Sequence, residues 1–236
     1  GRMVAFDHHF VTFGRNGRPV SGAGLSPNHY PAGLVPNFRL RQSLVETSVP
    51  TGPWRSPGHS AYCWAYQSFF DEVALAAGRD QLEFRLDLLS RSYGEPPLDL
   101  ERTSGTLALA AEKAGWKSRR LEDGRGLGMA FHFDHGSFVS HVAQVVADGN
   151  RVKVEKFWSA ADCGPVINLS GAKNQVEGAV VDALSTAQLE ITFADGAARQ
   201  GALHERRIDR RGAADIDRGL FRAGRAVQRQ RRLEGA

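Results

Sequence analysis

Cysteine is scarce in this chain. Cys63 and Cys163 are the two among 236 residues, far apart and in apolar company, so they read as buried thiols rather than as a disulfide framework or a metal knuckle. Long hydrophobic runs are missing too. None approaches the roughly 18 to 20 apolar residues that cross a bilayer, and no membrane span is expected. The opening GRMVAFDHHF lacks the basic-then-apolar order of a secretory leader and resembles mid-protein sequence, which leaves localisation open. There is no internal repeat. Lysine disappears from Arg199 onward, where eleven arginines face five acids, a balance of +6; the whole chain carries +4, so the first 198 residues carry −2. The basicity therefore belongs to the tail. Residues 199–236 also lack proline and almost all aromatics, so they bury little surface, and disorder or a loose basic helix is expected. A nucleic-acid-binding arm is the sharper alternative; no aromatic platform accompanies the charge, and no nucleic-acid partner is expected.

What is present supports a packed core, since 42% of residues are hydrophobic. Residues 1–48 mix Gly, Pro and Asn with short apolar alternations, Met3-Val4-Ala5-Phe6 and Phe38-Arg39-Leu40, which suits strands joined by loops. From His59 to Ala77 the spacing of Tyr62, Tyr66, Phe69, Phe70, Val73 and Ala77 predicts a helix with one buried face, ended by Gly78. Asp80 and Glu83 form a capping pair for a second helix carrying Leu82, Phe84, Leu86 and Leu89. Thr103 or Ser104 caps a third, with Leu107, Ala110, Ala111 and Ala114 on one side and Gly115 at its end. Strands follow over Gly128–Phe133 and Val139–Ala147, then an Asp148-Gly149-Asn150 turn and a return strand through Val152, Val154, Phe157 and Trp158. A helix over Asn168–Thr186, with Val176, Val180, Ala183 and Ala187 apolar, precedes a strand over Leu189–Phe193 and an Asp195-Gly196 turn.

Several stretches stand out in order: VPTGPWRSPGHS, a loop braced by Pro53 and Pro57; the helix QSFFDEVALAAGRDQLEFRLDLLS; the strand GSFVSHVAQVV; AADCGPVINLSGAKNQVEGAV; and LEITFADG. In that order they resemble the C-terminal part of the large molybdopterin-binding subunit of the xanthine dehydrogenase/aldehyde oxidase family, most nearly the branch that holds the isoquinoline 1-oxidoreductase beta subunit. The resemblance covers roughly Pro36 to Gly196. It implies an α+β fragment of a molybdenum-cofactor-binding domain over residues 1–198, with residues 199–236 as a tail off the family pattern. It also implies a molybdopterin cofactor, often the cytosine dinucleotide form. Such enzymes insert water-derived oxygen into an N-heterocycle or aldehyde and pass electrons to a small 2Fe-2S iron-sulfur subunit.

The resemblance assigns Trp54, Arg55 and Ser56 to a loop beside the molybdenum ligands, where backbone amides donate and Arg55 braces the loop or offsets anionic charge. Without it, this is a proline-braced turn with Arg55 in a structural ion pair. Gln175 and Gly178, in NQVEG, match a segment that meets the pterin, with donor, acceptor and close approach; alone they are a polar helix turn. Gly136 and Ser137 match a small-residue turn near the cofactor or its phosphate, and a plain strand-joining turn is the other reading. Gly126-Leu127-Gly128 lacks the helix and third glycine of a dinucleotide fingerprint and is rejected as a phosphate loop. Cys163 is taken as packing at a buried strand end. His132, His135 and His141 share a metal only if the turn folds them together. Asp71-Glu72 diverge on a helix, and Asp71 is expected to face solvent.

Two departures from the family pattern matter. No Met-Gly-Gln-Gly-type cofactor segment is present upstream, and Ala202-Leu203-His204-Glu205 only faintly echoes the strand that leads to a Gly-x-Gly-Glu-Pro-type segment carrying the catalytic glutamate base. No catalytic residue is therefore assigned, and the chain by itself is expected to be inactive. The hypothesis for the Arg, Ala and Gly that follow is a departure of the reading frame, or of the assembled gene, near Glu205. The alternative function is a non-catalytic remnant acting as a protein-interaction module.

Overall fold

A computed structural model describes residues 1–26, 29–48, 51–53, 55–149, 151–188, 192–195 and 197–200, and the backbone of 215–221; the side chains of Asp148, Arg151 and Gln188 lie outside that description. The chain divides into two compact units, one of residues 1–108 with 129–134 and one of residues 109–128 with 135 onward.

In the first unit, strand β1 (Ala5–Arg15) runs parallel to β3 (Asn37–Glu46), with Ala5 opposite Asn37 and Gly14 opposite Glu46, while the short β2 (Arg18–Pro19) folds back antiparallel on β1. A parallel pair needs a crossover, and this one carries Tyr30, Leu34 and Val35 into the core. The period of two sends Phe6 inward, where it stacks on Phe38 at 5.7 Å and meets Tyr66 edge-on at 5.8 Å.

Helix α1 (His59–Ala76) buries Tyr62, Tyr66, Phe70 and Ala74, one row at four-residue spacing. Phe69, expected on that face, sits at its margin and is 45% exposed, because the buried stripe follows the i, i+4 row through Phe70 instead. Gly78, at φ 63°, ends the helix as expected. Asp80 caps α2 (Gln81–Leu89), its carboxylate accepting from the Leu82 and Glu83 amides at 3.0 Å each. On α2 the buried set includes Arg85, fully enclosed. Its Nε donates to Gln67 Oε1 at 3.0 Å and its Nη2 to the Gln67 carbonyl at 2.9 Å. Nη2 also lies 2.6 Å from Asp71 Oδ1, a close ion pair rather than an aligned hydrogen bond. Asp71, its side chain 32% exposed, is thus the counter-charge of a buried arginine and only in part the solvent-facing acid expected.

Helix α3 (Leu100–Ala114) begins one turn earlier than the threonine and serine signals suggest. Asp99 caps it by accepting from the Arg102 amide at 3.0 Å, and Thr103 bonds back to the Asp99 carbonyl at 2.7 Å from inside the first turn. Leu107, Ala110, Ala111 and Ala114 are buried, as their spacing predicts.

In the second unit β5 (Ser137–Asp148) and β6 (Arg151–Asp162) form a long antiparallel hairpin with an irregularity at Gln144/Val145. Strand β9, Asp215–Phe221, runs parallel to β6, and β4, Arg125–Asp134, starts in this unit and has its residues 129–134 in the first. Arg125 grips Glu155 with two nitrogens at 3.0 and 3.1 Å. The buried Trp158 ring carries the Arg119 guanidinium at 4.6 Å and the Lys156 ammonium at 5.3 Å. Asn168 caps α4 (Leu169–Gln188) through the Gly171 amide at 2.8 Å. Val180 is buried on α4, whereas Ala183 and Ala187 are exposed, so the expected apolar stripe is covered over one turn and open beyond it. A two-residue hairpin pairs β7 (Phe193–Ala194) with β8 (Ala197–Ala198). Residues 189–191 of the expected strand, and residues 201–214 and 222–236 of the arginine-rich tail, lie outside the described residues; the tail's described 215–221 form strand β9, where disorder or a loose basic helix was expected, because β6 offers that segment a pairing edge.

Cys163 is exposed, not packed. Asp162 ends β6 with its side chain buried, and alternation turns the next residue outward. Among the described residues no helix is long and apolar enough to cross a membrane.

Candidate functional site

The proline-braced loop delivers the chain to the start of α1. Trp54 lies outside the described residues; Arg55 and Ser56 are exposed, and Ser56 takes a left-handed φ of 52°. Gly58 follows at φ 78°, and a Cβ there would stand 2.7 Å from the Gly22 carbonyl oxygen and 3.2 Å from the Tyr62 ring. Conformation and space both require glycine at this point. Gly58→Ala is expected to lower stability by about 1–3 kcal/mol, read as a fall in urea midpoint without a change in slope; an unchanged midpoint would show that the loop is not held by this contact.

With glycine as its N-cap, α1 has no side-chain cap and no acidic residue in its first turn. The Ser60 amide of the first turn is bonded to the Ser56 carbonyl at 3.3 Å, and the aligned peptide units of the helix place a partial positive charge at the end of the loop.

Behind that helix end the first unit holds a partly open cavity of about 260 Å³. Its rim holds a histidine pair, His59 Nδ1 to His132 Nε2 at 3.0 Å, and His59 Nε2 lies 3.7 Å from Asp134 Oδ1. Burial, reinforced by the neighbouring His59, pushes His132 down to about 4, and burial likewise lowers His29. Both are neutral at pH 7. Cys63 donates to the Phe131 carbonyl at 3.6 Å, and burial pushes its thiol up to about 11, so it offers no thiolate at neutral pH.

His29, His59, Tyr62 and Tyr66 carry no sequence signal as a group, because they come from a crossover loop and a helix and meet only after folding. The three histidines singled out by sequence are divided. His132 pairs with His59, His135 occupies a turn at φ 47°, and His141 in the second unit hydrogen-bonds Ser159 Oγ at 2.7 Å. Among the described residues, no group of three or more His, Cys, Asp or Glu is arranged to hold a metal ion.

In the second unit Gln175 and Gly178 are exposed and lie three apart, on one face of α4. A Cβ on Gly178 would meet nothing within 4 Å. His135 and Gly136, at φ 47° and 71°, form the two-residue turn between β4 and β5. That conformation is the type I′ hairpin turn, which calls for glycine irrespective of any ligand. Gly126 and Gly128 lie within β4, with no helix after them.

Comparison with known proteins adds four findings. The pattern of the molybdopterin cofactor-binding domain family matches residues 73–209, a span that includes Gly136, Ser137, Gln175 and Gly178 and begins after the Arg55 loop. A membrane-bound aldehyde dehydrogenase [pyrroloquinoline-quinone] of Gluconacetobacter polyoxogenes is 30% identical over 200 residues, 78% of this chain and 26% of the relative. The beta subunit of the isoquinoline 1-oxidoreductase of Brevundimonas diminuta is 28% identical over 176 residues, 72% of this chain and 22% of the relative. A subunit of the nicotinate dehydrogenase of Pseudomonas putida is 30% identical over 140 residues, 52% of this chain and 11% of the relative. The chain thus spans about a quarter or less of the length of these relatives.

Proposed function

The chain belongs to the molybdopterin cofactor-binding domain family of the xanthine dehydrogenase and aldehyde oxidase type, and from that premise we propose that it supplies cofactor-holding surface to a molybdenum-dependent oxidoreductase. The observation that carries the reading is the N-terminus of α1, reached through the Arg55–Ser56 loop, without a side-chain cap and free of acidic side chains in its first turn. Such an end suits an anionic group, and the oxo ligands and phosphate of a molybdenum cofactor are anionic, so the residues fit the group.

In the first unit Arg55 and Ser56, with Trp54 as the third member of the loop, would present amides and a guanidinium to the cofactor's anionic part. In the second, Gln175 offers an amide donor and acceptor from an exposed helix face, Gly178 leaves that face open, and Gly136 and Ser137 offer a turn amide and a hydroxyl. The cofactor, when bound, supplies the redox chemistry; these residues bind and orient it. The cytosine dinucleotide form, a 2Fe-2S partner subunit, an aldehyde or N-heterocycle as substrate, and the division into a partial cofactor domain over 1–198 and an off-pattern 199–236 are further parts of the proposal.

The test is direct. After expression in a host competent for molybdenum cofactor, the purified chain is expected to retain molybdenum and pterin, measured by metal analysis and by fluorescence of the oxidised pterin. Gln175→Ala and Arg55→Ala should each lower that content several-fold with an unchanged melting temperature. A wild-type sample free of both, or one holding pyrroloquinoline quinone instead, would overturn the reading.

A further inference from the structure

Helix α1 is apolar on the side turned away from the core as well as on the side turned toward it. Its eighteen residues include no lysine or arginine and only two carboxylates, Asp71 and Glu72, and Asp71 is committed to Arg85. Opposite the buried row of Tyr62, Tyr66, Phe70 and Ala74, a second row runs through Ala61, Trp64, Ser68, Glu72 and Leu75, all exposed. At 3.6 residues per turn these five fall within an arc of about 80°. Trp64 is 77% exposed and Leu75 79%. A helix with a solvent face carries charged and polar groups there, whereas one that is apolar all round is covered, and large exposed apolar side chains on one face mark an interaction site.

The exposed row is its own complement. Counted from Ser68, its members stand at −7, −4, 0, +4 and +7, the same spacing in both directions. A second copy of α1 laid antiparallel across a two-fold axis at Ser68 therefore sets Leu75 of each chain against Ala61 of the other, a large side chain over a small one. Trp64 meets Glu72 of the second copy, an indole N–H donor against a carboxylate acceptor, and the two Ser68 hydroxyls meet on the axis, where each can donate or accept. The two Glu72 carboxylates then stand eight residues apart along the seam, about 12 Å, farther than a Debye length of about 8 Å at physiological ionic strength. A parallel pair would instead set Trp64 on Trp64 and the two carboxylates on each other.

We propose that the exposed face of α1 is an isologous dimer interface, occupied by the same face of a second copy of this chain, antiparallel about Ser68. One helix pair buries less than the roughly 1,200 Å² at the lower end of stable interfaces, so the dimer is a weak one, with a Kd on the order of 10–100 μM. The face uses none of the residues assigned to the cofactor, and its test does not depend on molybdenum content.

Sedimentation velocity of the purified 236-residue chain is expected to pass from monomer to dimer between about 5 and 500 μM. Leu75→Glu and Trp64→Ala, both at exposed positions, should each weaken association about tenfold or more with an unchanged melting temperature. Orientation is read by cross-linking in a Cys163→Ser background, which removes the exposed native thiol. Ser68→Cys is expected to form an interchain disulfide under mild oxidation, because the axis brings position 68 against its counterpart. Leu75→Cys alone should not, since its two copies stand about 21 Å apart, yet it should link to Ala61→Cys when the two variants are mixed. A chain that stays monomeric at about 500 μM would overturn the proposal and assign the face to a different partner. So would a dimer that both surface variants leave unchanged, or a Leu75→Cys chain that links to itself as readily as Ser68→Cys does.

Discussion

Replacing Arg85 with alanine is expected to cost about 3–5 kcal/mol of stability, among the largest effects of any single substitution in the first unit. The side chain is fully buried and binds four groups: Gln67 Oε1, the Gln67 carbonyl, the Gln81 carbonyl at 3.2 Å and the Asp71 carboxylate. Without it the carboxylate loses its cation, and Gln67, whose amide nitrogen holds the Phe131 carbonyl at 2.9 Å, loses the donor that orients it. Arg85→Lys should recover only part of the loss, since one ammonium cannot reproduce a planar fork reaching α1 and the start of α2 together. Arg85→Met with Asp71→Asn should be more stable than Arg85→Met alone, because the second change removes the stranded charge. Urea midpoints of the four variants check this; an Arg85→Ala cost below about 1 kcal/mol would show that water reaches the site.

Acid should destabilise both units before the carboxylates titrate. Burial pushes His132 in the first unit and His141 in the second down to about 4. His132 also faces His59 and His29, which oppose its protonation, and Asp134, which favours it. Once unfolded, each titrates near 6.5. Below that pH the unfolded chain binds protons that the folded chain refuses, so stability is intact above about 6.5 and falls as the pH drops toward 4. By pH 4.5 each histidine is expected to remove about 2–3 kcal/mol. His8 and His29, also lowered by burial, act in the same direction. The ion-paired carboxylates Asp87 and Glu155 sit below their ordinary range and add their loss only at lower pH. Urea midpoints between pH 4 and 8 should show this slope in the wild type and about half of it once His132→Gln and His141→Gln are combined. A flat profile above pH 5 would contradict it.

Local signals were legible wherever one residue acts on its own neighbours. Asp80 announces α2 because a carboxylate three residues before a free amide needs no tertiary partner, and Gly78 ends α1 because the left-handed turn is a property of glycine. The order of motifs from the Pro53–Pro57 loop to LEITFADG identifies the family without any fold. The cap of α3 was displaced from Thr103 to Asp99 because two chemically suitable caps compete and the longer helix wins.

Other features were decided only by tertiary structure. Arg85 breaks the apolar pattern of α2, so no periodicity places it inside; it is buried because Gln67 and Asp71, on another helix, complete its hydrogen bonds and charge. Cys163 looks buried by composition and is exposed because β6 spends its last inward position on Asp162. The cavity of the first unit unites the crossover loop, α1 and the end of β4, segments separated by up to a hundred residues. By itself the sequence determined most of the elements, the cap of α2 and the family, since these follow from spacing and local chemistry. The tertiary structure decided which charges are buried, which histidines meet, and which apolar side chains of α1 stay exposed, because those depend on distances that only packing sets.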